Sequence, residues 1–84
     1  MRLRVITPDG AALETEAKAH SIPTEDGCIG VLEHHAPMIC AVAEGKLRYV
    51  DSGDSTVYKS VGCGVAHIGN NEVVVLVDRA LDIG

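Results

Sequence analysis

The sequence contains no tryptophan and no phenylalanine, and its only aromatic side chains are Tyr49 and Tyr58. That scarcity weighs against a single-stranded nucleic-acid platform, which stacks bases on aromatic faces. It also leaves the interior to Val, Ile, Leu and Ala, a set suited to pleated strands and tight packing. Positive charge is scarce as well. Seven Lys and Arg stand against twelve Asp and Glu, giving a net charge of −5 and a pI near 5.1. A phosphate-binding surface needs the opposite balance, so nucleic acid and anionic membrane are disfavoured as partners. Long apolar runs are missing. The longest unbroken aliphatic run covers residues 73–77, far short of the roughly 20 residues a membrane-spanning helix requires. Residues 1–6 are too short an apolar stretch for a signal peptide. Cysteine is sparse and odd in number: Cys28, Cys40 and Cys63, with no CxxC pair. A small secreted disulfide scaffold is richer in Cys and usually even in count, so three free thiols in a reducing compartment fit better.

What is present is ordinary for one small folded domain. Of 84 residues, 46% are apolar and 23% charged, which argues against disorder. Turn residues recur at short intervals: Pro8-Asp9-Gly10, residues 23–27, Glu44-Gly45, Ser52-Gly53-Asp54-Ser55 and Gly69-Asn70-Asn71. Short strands broken by such turns point to an all-β sandwich or barrel. In residues 13–22 the expected alternation puts Glu14, Glu16, Lys18 and His20 on one face, with Leu13, Thr15, Ala17 and Ala19 on the other. A helix competes there on propensity, but the large apolar residues are too few to form a helical stripe. Residues 46–51 and 56–61 read as a hairpin, as do 65–68 and 73–77 around Asn70-Asn71. Because residues 73–77 do not alternate, they are expected to form a central strand covered on both faces.

Catalytic and ligand-binding patterns are weak. Gly27-Cys28-Ile29-Gly30, read as a loop, lacks the GxGxxG spacing and the Walker lysine of nucleotide sites. Its glycines, like those of Gly62-Cys63-Gly64, are better explained by turns or a bend at a sandwich corner. The most distinctive string is His34-His35-Ala36-Pro37. Adjacent histidines on a strand point to opposite faces, so they do not readily share a metal, and no Cys/His spacing completes one. Glu14 and Glu16 fit a solvated strand face better than an acid–base pair. Cys–His catalysis would need an oxyanion hole and a cleft, and nothing supplies either. The residues by themselves therefore indicate a β domain whose role is binding, with no cofactor and no metal expected.

Longer strings go further. Residues 22–39, with Pro23-Thr24-Glu25-Asp26-Gly27-Cys28-Ile29-Gly30-Val31-Leu32 followed by His34-His35-Ala36-Pro37-Met38-Ile39, resemble the epsilon subunit of F-type ATP synthases. Residues 1–10 are similar to that family's opening strand and turn. Glu44-Gly45-Lys46-Leu47-Arg48-Tyr49, residues 61–65 and residues 73–78 resemble its later strings. The likeness runs in order through nearly the whole chain. Three positions depart from it. Glu33 stands where the family usually has proline, Cys28 where an acid is common, and Cys63 in place of a glycine.

The resemblance implies residues 1–84 as one N-terminal domain, a flattened sandwich of two antiparallel five-stranded sheets with about ten short strands. The family's C-terminal helical hairpin, with its regulatory role, is expected to be absent. It also implies a non-catalytic subunit of the central-stalk rotor, peripheral on the cytoplasmic (or organellar equivalent) face of the membrane and not inserted in it. Such a subunit docks on the gamma subunit and on the polar loops of the c-ring, and couples proton or sodium transport to ATP synthesis. Carried over by position, His35, Ala36 and Cys40 would face gamma. Asp9, Asp26, Gly27, Cys28 and Ile29 would face the c-ring. A free-standing β-sandwich module that binds a partner outside the synthase is the alternative.

Overall fold

The computed structural model describes residues 1–33 and 36–83. The chain is all β. Among the described residues nine strands follow in order: β1 (Arg2–Thr7), β2 (Gly10–Thr24), β3 (Gly27–Leu32), β4 (Met38–Val42), β5 (Gly45–Asp51), β6 (Thr56–Val61), β7 (Gly64–Gly69), β8 (Glu72–Val77) and β9 (Ala80–Asp82). Among the described residues no helix is long and apolar enough to cross a membrane.

The long strand β2 organises the fold. Fifteen extended residues would reach about 50 Å, yet the domain measures only 26 × 26 × 24 Å. The strand must therefore bend back on itself. The pairing shows where. Gly10 to Glu16 pair with β1, whereas Ala17 to Ser21 pair with β5 and Ala19 to Thr24 with β3. The register shifts between Ala17 and Ala19, a bulge of the kind that bends a strand and increases its twist. Two five-stranded sheets result, sharing β2. Sheet 1 has the order β4-β7-β8-β1-β2 and sheet 2 the order β3-β2-β5-β6-β9. Their inner faces meet in one core that includes Leu3, Val5, Ile22, Val31, Leu47, Val61, Ile68, Val73 and Val75.

Several expectations hold. The 46–51/56–61 and 65–68/73–77 hairpins form, with Asn70 and Asn71 at φ of 50° and 58°, the conformation a tight hairpin turn demands and Asn tolerates. Others are corrected. The sheets are not antiparallel throughout, because β1 pairs with β8 in parallel. These strands lie at opposite ends of the chain, so no hairpin dictates their relative direction. The nine described strands fill ten positions, because β2 runs in both sheets, in keeping with about ten short strands; the near-equal dimensions make the sandwich close to equant rather than flattened. Pro23 and Thr24 belong to β2, and Gly27 to Gly30 belong to β3, where loops were expected. Only Glu25 and Asp26 make the turn, closed by Thr24 Oγ1 donating to the Gly27 carbonyl.

The bulge also overturns the face assigned to His20. Skipping one position reverses the alternation, so His20 turns inward and is 3% exposed instead of joining Glu14, Glu16 and Lys18 in solvent. Nor is β8 covered on both faces. Val73, Val75 and Val77 are buried, but Leu76 is 48% exposed and Val74 is half-buried.

Candidate functional site

The outer face of sheet 1 is built by alternation. Each strand that buries its inner residues must present the intervening ones to solvent. On β8 these are Val74 and Leu76, on β7 Val65 and His67, on β4 Ile39 and Ala41, and on β1 Arg4 and Ile6. The registers line them up in two rows. One runs Ile6, Leu76, Val65, Ala41, and the next runs Arg4, Val74, His67, Ile39. Four neighbouring strands span about 14 Å. Within that width the first row is wholly apolar, and Ile39, Leu76 and Val65 are 69%, 48% and 43% exposed. On the β2 side the patch is bounded by an ion-paired group, with Arg2 Nη2 and Arg4 Nε donating to Glu14 at 3.4 and 3.2 Å. A contiguous apolar surface with a polar rim is the anatomy of a protein-docking site.

This face went unnoticed at the level of sequence. One signal for it was present: a strand that is apolar at both parities, as in residues 73–77, either is buried on both sides or carries an interface on one of them.

One end of the sandwich gathers the turns. Across sheet 1, Gly10, Thr7, Val77, Gly64 and Val42 lie level with one another. Just beyond Val42, Ala43 N donates to the Pro23 carbonyl at 3.0 Å. Both ends of the bent β2 thus come to the same end of the domain, which brings the turn holding Asp9 and the turn holding Asp26 there. Asp9, Asp26, Gly27 and Cys28 are exposed. Ile29 is half-buried and packs on the core. Gly10 and Gly27 adopt φ of 116° and 110°, which only glycine takes without strain.

The segment before β4 lies at the other end, because Met38 pairs with Ile68. Ala36 is exposed there. His34 and His35 lie outside the described residues. Cys40 is separate from both groups. It faces inward on β4, packs against the core, and lines a hollow between the edge strands together with Asp26, Ile29 and Met38. Burial pushes its thiol pKa up, the reverse of what a reactive thiolate needs. Cys28 and Cys63 are exposed. Among the described residues no group of three His, Cys, Asp or Glu could hold a metal.

His20 is a buried titratable group on the inner side of β2, 3% exposed. Its Nδ1 lies 3.4 Å from the Val31 carbonyl, and its Nε2 has no partner among the described residues. Burial drives its pKa below the usual 6.5; the Val31 bond opposes that shift and the positive amino terminus adds to it. Neutral imidazole is therefore the form the core accommodates.

Comparison with known proteins supplies the context of these surfaces. The family described as "ATP synthase, Delta/Epsilon chain, beta-sandwich domain" matches residues 1–83. The chain is 41% identical over 80 residues to an "ATP synthase epsilon chain, chloroplastic" of Piper cenocladum, covering 95% of this chain and 59% of that one. It is 36% identical to an "ATP synthase epsilon chain" of Desulfitobacterium hafniense, covering 93% and 58%. It thus spans about three fifths of the length of these relatives. Among solved structures, a chain of the Euglena gracilis mitochondrial ATP synthase (OSCP/F1/c-ring) superposes with a TM-score of 0.88 at 26% identity, covering 95% of this chain and 51% of that one. A chain of the Tetrahymena thermophila mitochondrial ATP synthase central stalk/c-ring shares the fold, with a TM-score of 0.79 at 12% identity over 98% and 66%. With an unbroken match from residue 1 to residue 83 and all-β architecture in common, this chain belongs to the delta/epsilon family of ATP synthase subunits, of which it carries the β-sandwich domain.

Proposed function

We propose that the chain serves as the β-sandwich of a non-catalytic rotor subunit in an F-type ATP synthase, in a complex peripheral to the membrane. Its role is mechanical: it holds the gamma subunit and the c-ring together, so that proton or sodium flow and ATP synthesis turn one shaft. The observation that carries this reading is the apolar outer face of sheet 1, on a chain whose relatives are ATP synthase epsilon chains. Gamma covers that face, with His35 and Ala36 extending the contact at one end. The turns holding Asp9 and Asp26, with Gly27, Cys28 and Ile29, meet the polar loops of the c-ring at the other. A body that is about as wide as it is long, with one core, suits a spacer under torque.

The test is binding to purified gamma subunit, measured beside thermal melting. Leu76→Asp or Val65→Asp places an unpaired charge in the middle of the face and should abolish binding at micromolar concentration. The melting temperature should hardly move, because both side chains are open to solvent in the isolated domain. Ala36→Asp should weaken binding to a lesser degree. Full affinity in folded Leu76→Asp would remove this face from the interface. Failure of the wild-type chain to bind either gamma or the c-ring would favour the free-standing module instead.

A further inference from the structure

Of the seven Lys and Arg, five make ion pairs: Arg2 and Arg4 with Glu14, Lys18 with Asp54, Lys59 with Asp82, and Arg79 with Glu44. The two left without an acid partner among the described residues are Lys46 and Arg48. They stand two apart on β5 and are both exposed, while Leu47 and Tyr49 between and beyond them are buried. Strand periodicity therefore puts them side by side on the outer face of sheet 2, their Cα atoms about 7 Å apart.

Their surroundings are arranged unevenly. Across one side of Arg48 stands Tyr58, 44% exposed, and across the other stands Ser21, followed by Gly30 on β3. A side-chain carbon on Gly30 would meet nothing within 4 Å. The guanidinium thus borders a shallow floor of small residues. Leu32 and Leu81, 64% and 61% exposed, stand at two corners of the same face.

We propose that this face is a second docking surface, distinct from the apolar face of sheet 1, and that its partner is an acidic segment of a protein with apolar residues interleaved. The charge pattern selects that chemistry. In a domain of net charge −5, every other Lys and Arg is already ion-paired with a neighbouring acid, Arg2 and Arg4 sharing Glu14. A pair left open offers two carboxylates a site for which no acid among the described residues competes. A polyanion such as nucleic acid or a lipid surface would meet the domain's overall negative field and only two cations. A short segment with two acids avoids most of that repulsion. The spacing suits it: acids at i and i+2 on a strand lie about 7 Å apart, and acids at i and i+4 on a helix about 6 Å. The fork of Arg48 can take a carboxylate in bidentate fashion with Lys46 as the second point charge. The aromatic ring of Tyr58 and the exposed leucines accept the apolar residues between.

The experiment uses this chain, isotopically labelled, and a synthetic 14-residue helical peptide carrying Glu at i and i+4 with Leu beside them. A matched peptide with Gln at both positions is the control. Amide shifts on titration should move at Ser21, Gly30, Arg48 and Tyr58 and not at Val65 or Leu76. Affinity should fall at least tenfold with the Gln peptide, with Lys46→Glu/Arg48→Glu, and with the neutral pair Lys46→Gln/Arg48→Gln, which keeps the test open if charge reversal perturbs folding. It should also fall several-fold between 50 and 500 mM salt. No shifts at millimolar peptide, equal affinity in the folded variants, or tighter binding to vesicles containing phosphatidylserine than to the peptide would each overturn the proposal. Because the readout is local to sheet 2, it fails or succeeds independently of gamma binding by sheet 1.

Discussion

Two neighbours on β8, Val75 and Leu76, differ only in which way the pleat turns them, and truncating each to alanine separates the core from the docking face. Val75 is fully buried and paired between Val5 on β1 and Ala66 on β7. Val75→Ala removes two methyl groups, worth about 1.6 kcal/mol in transfer free energy. The cavity left behind adds up to about 1 kcal/mol, because central strands held on both sides relax little. The sum is about 1.6–2.6 kcal/mol. A domain of this size loses about 4–8 °C of Tm per kcal/mol, so the variant should melt about 6–20 °C lower. Leu76 is already half in water, and its loss opens no enclosed cavity. Leu76→Ala should cost under about 1 kcal/mol and no more than a few degrees. Urea titration followed by circular dichroism in the strand region measures both, with an unchanged slope showing that the unfolded states match. Equal losses in the two variants would mean that β8 is covered on both faces and that the docking surface does not exist. A Val75→Ala variant melting within two degrees of the parent would mean that β8 is not in the core at all.

The remaining predictions concern single sites. Stability should depend on pH through His20. The unfolded chain binds a proton near the ordinary 6.5 and the folded chain only at lower pH, so stability is full above about 6.5 and declines as the pH falls toward the lowered value. Denaturation curves of His20→Leu between pH 7 and pH 5 should be flatter than those of the parent, and an equal slope would acquit His20. In the native state a thiol reagent should modify Cys28 and Cys63 quickly and Cys40 much more slowly, as peptide mass mapping would show; uniform rates would contradict the inward setting of Cys40. Gly64→Ala should be severely destabilising, because its new carbon would lie 1.8 Å from the Leu76 carbonyl oxygen, whereas Gly30→Ala should be tolerated. Melting curves of the two variants that coincide would refute the close approach of β7 to β8.

The sequence was informative wherever structure is decided locally. Asn70-Asn71 and the Ser52–Ser55 stretch specify their hairpins through residues that accept turn geometry, and the scarcity of helical apolar spacing settles the all-β class. It was uninformative where the outcome depends on partners distant in the chain. Nothing in residues 2–7 or 72–77 states that β1 and β8 run parallel, since both orientations bury the same alternate residues. The bend in β2 was hidden for a related reason. Ala17 and Ala19 are small enough to sit on either face, so the one-residue slip that buries His20 leaves no trace in the hydrophobic pattern. The docking face was illegible because residues 73–77 are apolar at both parities, and composition cannot say which half meets water. The turns holding Asp9 and Asp26 were linked only by the family resemblance, and the bend of β2 supplies the physical reason that they share one end.

The parallel pairing of β1 with β8 has a consequence for synthesis. Of these strands β1 is made before the others, and its hairpin partner β2 follows at once, but its other flank stays open until residue 77 has emerged. At translation rates of about 5–20 residues per second, the roughly 70 residues from the end of β1 to the end of β8 take about 4–14 s. For that interval the nascent chain carries an unpaired strand edge beside Leu3 and Val5, side chains that the finished domain hides completely. Sheet 1 cannot close before its last long strand arrives, so the domain is committed to folding late, with one defined edge exposed to wrong pairing until then.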